Sequence, residues 1–158
     1  MKKYELTDET IEVYGTALHR IKALKDFGNV KKGELGGYVE SEHNLSQEGN
    51  CWVCGNAEVY DNAEVYGNAK VCGNAEVFGK AEVFGKADYI TIKGLGSKYR
   101  NTTIFKTKEN IAVKCGCFYG TLAEFVDKVK ETHGNSKFAK EYLALIDLVK
   151  IHFELEDK

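Results

Sequence analysis

The chain has 158 residues, 43% of them hydrophobic and 29% charged, and a formal net charge of −2. These values suit one or two small globular domains and exclude a disordered chain or one drawn to nucleic acid by net charge alone. Apolar runs are too short for a membrane span or an export leader, so the five cysteines are expected as free thiols in the cytoplasm.

Residues 1–38 read as an N-terminal β cap. TIEVY and ALHRIKAL form two short strands around a Gly15-Thr16 turn. His19 sits among alternating residues and reads as structural.

From Val53 to Asp88 the chain repeats in sixes without a slip: VCGNAE, VYDNAE, VYGNAK, VCGNAE, VFGKAE, VFGKAD. A period of six points to a parallel β-helix. Val53, Val59, Val65, Val71, Val77 and Val83 are β-branched and suit short strands facing a core. Gly-Asn, Asp-Asn or Gly-Lys supplies a corner that tolerates positive φ. The small residues of the column from Ala57 to Ala87 fit inside that corner. Proline is absent, as strands that donate hydrogen bonds to neighbours on both sides require. Carried backwards, the register places Cys51, Leu45 and Val39 in the alanine column, and the periodic region becomes 39–92, or three coils.

This pattern resembles the hexapeptide-repeat, left-handed β-helix family. The resemblance implies a triangular coil of three hexads, a homotrimer, and acyl transfer with coenzyme A bound between prisms. The aliphatic first and small fifth positions match the family. Position two departs from it by carrying Cys, Tyr or Phe. The perfect hexads contain no histidine, so His43 in the degenerate first coil is the one candidate for a catalytic base. The segment GGYVESEHNLSQEGNCWV also resembles the opening of bacterial repeat proteins assigned to the acyltransferases without an established activity.

With three hexads to a coil, residue i lies over i+18, about 4.8 Å away. Tyr60 then stacks on Phe78, Tyr66 on Phe84, and Cys54 lies over Cys72. Glu40, Glu58 and Glu76 form one column, and Glu64 lies over Glu82. Outward aromatic ladders mark Tyr60, Tyr66, Phe78 and Phe84 as interface candidates. Their cover is the chain's own termini, a trimer seam or a ligand.

Residues 93–158 read as an α+β domain of strands and two helices, and the whole fold is expected to be mainly β. GLGSKYRNTT is a Gly-rich loop after a last strand at Tyr89–Lys93. TTIFKT and IAVKC form a hairpin. Thr121 with Glu124 signals a capping box, and Leu122, Phe125, Val126 and Val129 make the stripe of the first helix, which His133-Gly134 ends. A second helix starts near Ser136, with Phe138, Tyr142, Leu145, Ile146, Val149 and Phe153 on its apolar stripe.

Between Lys93 and Lys114 six basic residues face one acid. Glycine loops open backbone N–H groups to phosphates, and Lys and Arg neutralise them. Lys93, Ser97, Lys98, Tyr99, Arg100, Thr102 and Thr103 are therefore the candidate ligand residues. Tyr99 offers a ring for a base, and Walker-loop spacing is absent. Cys51 and Cys54 should point to opposite sides of one wall. Cys115 and Cys117 share a face only if CGC is extended, and with His133 they still lack a ligand. No metal or cofactor is expected.

The segments GSKYRNTTIF, CGCFYGTLAEF and KETHG resemble the tails of small phage and prophage proteins of gut bacteria. That resemblance implies a mobile-element setting and a host-cell cytoplasm. The expected function is a non-enzymatic, homo-oligomeric binding protein that sequesters a nucleotide signal or a host protein of antiviral defence. The alternatives are a reduced coenzyme A-dependent acyltransferase and a self-assembling β-helix.

Overall fold

The computed structural model describes residues 1–85 and 88–155, so Ala87 of the alanine column lies outside the described residues. The fold is mainly β with two helices, and it divides into two units, Met1–Asp88 and Tyr89–Lys158. Neither helix is long and apolar enough to cross a membrane.

The first unit opens with an antiparallel meander of three strands: β1 (Tyr4–Val13), β2 (Thr16–Ala23) and β3 (Leu35–Val39). Tyr14 (φ 49°) and Gly15 (φ 81°) make the two-residue turn between β1 and β2, and two successive positive φ values match the right-handed twist of a hairpin.

Six strands of two residues follow: β4 (Trp52–Val53), β5 (Glu58–Val59), β6 (Glu64–Val65), β7 (Lys70–Val71), β8 (Glu76–Val77) and β9 (Glu82–Val83). They pair parallel as β4 with β7, β5 with β8 and β6 with β9. Val53, for example, faces Val71, and Glu64 faces Glu82. The valine and alanine columns that the structure describes point inward and are buried. The corner glycines Gly49, Gly55, Gly67, Gly73 and Gly79 take φ of 63–71°, and Asp61 takes 56° in the same role.

The backward extension of the register fails by two residues. Val39 pairs with Val59 and Leu45 with Val65, so both join the valine column rather than the alanine column. Cys51 keeps its place, because Trp52 N–H donates to Ala69 O at 3.0 Å. The extra residues fall in the corner Ser46–Glu48, where Gln47 Oε1 accepts the N–H of Lys3 (2.8 Å) and Tyr4 (3.3 Å). The corner widens to bond the first strand. Glu40 consequently leaves the glutamate column: Tyr38 faces Glu58, and Glu40 Oε1 accepts Asp61 N–H at 3.2 Å.

The aromatic ladders have unequal fates. Tyr60 stacks on Phe78 at 5.1 Å and 8°, and Leu18, Tyr38, Ile11 and Val13 cover the pair, leaving Tyr60 4% exposed. Tyr66 and Phe84 are 5.0 Å apart, with Phe84 57% exposed. Cys54 and Cys72, Cα atoms 4.5 Å apart, are joined as a disulfide where free thiols are expected. Stacked coils bring vertical neighbours inside the range a disulfide spans.

In the second unit, β10 (Tyr89–Leu95), β11 (Arg100–Lys106), β12 (Ile111–Cys115) and β13 (Phe118–Thr121) form one antiparallel sheet in chain order. Helices α1 (Leu122–His133) and α2 (Lys137–His152) pack on one face of it. Ile104, Val113, Phe125, Val129, Tyr142, Ile146 and other apolar groups fill the core. The Gly-rich loop of the sequence reading is mostly strand. β10 and β11 pair from Tyr89↔Phe105 to Leu95↔Arg100, and Gly96–Tyr99 alone turn the chain.

Two substitutions separate backbone strain from packing. A Cβ on Gly73 meets nothing within 4 Å, whereas one on Gly67 meets the Phe84 ring at 2.6 Å and its carbonyl oxygen at 2.8 Å. In urea melts Gly73→Ala should cost about 1 kcal/mol, from positive φ alone, and Gly67→Ala about 3 kcal/mol.

Burial, with Glu76 beside it, raises the Glu58 carboxyl above its ordinary 4.5. A carboxyl raised on folding loses stability as pH climbs through its folded value. Glu58→Gln should therefore stabilise the protein near neutral pH by about 0.5 kcal/mol. The gain should vanish below about pH 4, where both forms are uncharged.

Candidate functional site

Thr121 caps α1: its Oγ1 accepts Glu124 N–H at 3.2 Å while Glu124 Oε1 accepts Thr121 N–H at 3.2 Å. This start turns Phe125 and Val129 onto the sheet, where both are buried. Lys128, Thr132 and His133 then flank that stripe.

Two glycines bring the other walls close. Gly96 (φ 78°) donates its N–H to Glu141 Oε2 at 2.9 Å, which ties the β10–β11 turn to α2. A Cβ there would lie 2.7 Å from the Tyr142 ring. Gly116 (φ 58°) stands in the tight turn between β12 and β13, and a Cβ there would lie 2.6 Å from Arg100 Cδ. Lys114 Nζ donates to Gly116 O. CGC is therefore a turn, not the extended segment that would align its thiols. Cys115 is buried and Cys117 exposed.

These elements enclose a cavity of about 510 Å³, within the range of small-ligand sites. Phe118, Phe125, Val129 and Tyr142 give it an apolar floor. Phe125 meets Phe118 at 5.3 Å and Tyr142 edge-on at 5.4 Å. Lys98, Arg100 and Lys128 supply positive charge, and no carboxylate is among the described lining residues. Ser97, Thr132, Tyr119 and His133 add hydrogen-bonding groups, and Cys115 and Cys117 add thiols. His133 stacks on Tyr142 at 5.8 Å and 26°.

Tyr142 holds the floor together. Its hydroxyl donates to Leu95 O at 3.2 Å and accepts from Cys115 Sγ at 3.6 Å. Burial, and then the Cys115 thiol, push the phenol well above its ordinary value of 10, so it stays a neutral donor.

Of the candidate ligand residues, Ser97, Lys98 and Arg100 line this cavity. Lys93 is exposed on β10, and Tyr99 is exposed at the turn. Thr102 and Thr103 are buried neighbours on β11 and so point to opposite faces of the sheet, with Thr102 Oγ1 donating to Cys115 Sγ at 3.3 Å. The aromatic floor and Lys128 were not among the candidates. The available signal was Lys128 and Thr132, one turn apart beside the Phe125–Val129 stripe. His43 is on the repeat unit, 54% exposed, with Nε2 3.6 Å from Glu64 Oε1. No cluster of His, Cys, Asp or Glu among the described residues is placed to hold a metal ion.

Tyr142→Phe should cost about 1 kcal/mol in chemical denaturation, the worth of its hydroxyl bonds. Tyr142→Ala should cost about 4 kcal/mol, because it also empties the floor.

No protein-family model matches the chain. The chain is similar to an Escherichia coli (strain K12) protein described as an uncharacterized acetyltransferase, YdcK, with 39% identity over 61 residues. The similarity covers 34% of this chain and 19% of that protein, so the chain spans about a fifth of its curated relative.

Proposed function

We propose that the chain is a non-enzymatic binding protein whose cavity in the second unit takes a small anionic ligand with a planar or apolar part, a nucleotide being the first choice. One observation carries this reading: Lys98, Arg100 and Lys128 line an aromatic-floored cavity with no carboxylate among its described lining residues. A cleft with low-dielectric walls and one sign of charge concentrates ions of the opposite sign. Phosphates suit Arg and Lys, and a base suits the rings of Phe118 and Tyr142.

In this reading residues 1–38 cap a left-handed β-helix that begins at 39 and ends before β10, four residues short of the expected 92, and the ligand domain begins with β10 at Tyr89 rather than at 93. The parallel pairing of β4 with β7 and its two counterparts supports the helix. The Tyr66–Phe84 ladder, with Tyr66 half-buried and Phe84 exposed, supports a homotrimer seam. Several cavities on one assembly would gain avidity for a sequestered signal. The tail's resemblance to phage proteins is the ground for placing that signal in antiviral defence.

A second reading, a reduced acyltransferase, rests on the similarity to the Escherichia coli protein. His43, beside Glu64, is its base.

Thermal shifts separate the two. Inorganic pyrophosphate and nucleoside diphosphates should raise the melting temperature, equivalent to about 2.7 kcal/mol at a hundredfold excess over Kd. Arg100→Ala should abolish the shift. A shift with coenzyme A that disappears in His43→Ala, with none from pyrophosphate, would establish the second reading instead.

A further inference from the structure

The same cavity holds a nucleophile that anion binding does not require. Cys115 and Cys117 both line it, on either side of Gly116, but they differ in freedom. Cys115 is buried; its Sγ accepts from Thr102 Oγ1 at 3.3 Å and donates to Tyr142 Oη at 3.6 Å. Cys117 is an exposed free thiol, and it shares the cavity wall with Lys98, Arg100 and Lys128.

We propose that Cys117 is a site of thiol–disulfide exchange with small disulfides of anionic thiols. The proposal rests on reading the cavity as an anion site. A thiolate attacking an anionic disulfide is repelled by it in water. Arg100, whose Cδ lies 2.6 Å from where a Cβ on Gly116 would stand, and Lys98 and Lys128 on the wall of the same cavity offset that repulsion and attract the carboxylates or phosphates of the incoming molecule. Cys117 gives its proton to solvent, and the thiolate attacks one sulfur of the disulfide. The old S–S bond breaks as the Cys117–S bond forms, and the other half leaves as a thiolate that takes up a proton. The disulfide is itself the oxidant, so no further reagent enters. Cys115, held by two hydrogen bonds, does not displace the adduct.

The test compares three probes at low salt on the full chain: glutathione disulfide (anionic), coenzyme A disulfide (anionic, phosphate-bearing) and cystamine (cationic). Adducts are followed by intact mass and located by peptide mapping without reduction. Both anionic disulfides should label Cys117 at least about tenfold faster than cystamine does. Lys98→Gln with Arg100→Gln should erase the preference, and Cys117→Ser should remove the adduct. Pyrophosphate should slow labelling by the anionic probes but not by cystamine. Coenzyme A disulfide separates phosphate from carboxylate as the favoured anion. Either order supports the proposal if both exceed cystamine.

Equal rates for all probes, labelling at another cysteine, or an internal Cys115–Cys117 disulfide without adduct would overturn it. If pyrophosphate still raises the melting temperature in that case, the cavity binds anions but does not present the thiol. If pyrophosphate gives no shift either, the anion reading fails as well.

Discussion

Strands of two residues cannot hold a sheet unless every short segment is met by another in the same place on the next turn of the chain. In the repeat unit that meeting is made by backbone hydrogen bonds across an 18-residue return. The N–H groups of Trp52, Cys54 and Asn56 donate to Ala69, Val71 and Gly73 oxygens at 3.0, 2.8 and 3.0 Å. The corners make this possible. A left-handed residue turns the chain, and a side chain no larger than alanine lets the wall close. Vertical stacking of side chains then follows whether it helps or not. Tyr60 over Phe78 gains about 0.5–1.5 kcal/mol beyond burial. Glu58 over Glu76 and Glu64 over Glu82 each lose up to about 1 kcal/mol. The two effects are of similar size, so the inward valine and alanine columns decide the balance.

The period made the columns from Val53 to Phe84 legible because each hexad states the same local rule. It misled at Leu45 and Val39, where the hydrophobic spacing still reads as sixes but the corner at Ser46–Glu48 has grown to meet Lys3 and Tyr4. A residue count cannot show a corner that lengthens to bond a distant strand. The N-terminal cover of Tyr60 was legible only as one of several possibilities, since nothing in ALHRIKAL says which ladder Leu18 packs on. In the tail, Gly94, Gly96 and Ser97 suggested a loop. Cross-strand pairing overrode that local preference and kept β10 and β11 continuous to within four residues of each other.

The cavity was half legible. Ser97, Lys98 and Arg100 are close in sequence and announce positive charge beside glycine. Phe118, Lys128 and Tyr142 come from a strand and two helices far along the chain, and no local pattern links them to the turn. Glycine at 96 and 116 is the physical link. Each gives up a side chain so that Tyr142 and Arg100 can lie against the backbone. The cationic groups and the rings therefore share one space because two turns are bare.

The 18-residue return can be tested with paired cysteines in a background where the native cysteines are serine. Glu64→Cys with Glu82→Cys joins residues that face each other on β6 and β9. Glu64→Cys with Glu76→Cys joins residues on different ladders. Mild oxidation should cross-link the first pair rapidly and leave the second reduced. Equal cross-linking of both, or none in the first, would contradict the return on which the rest depends.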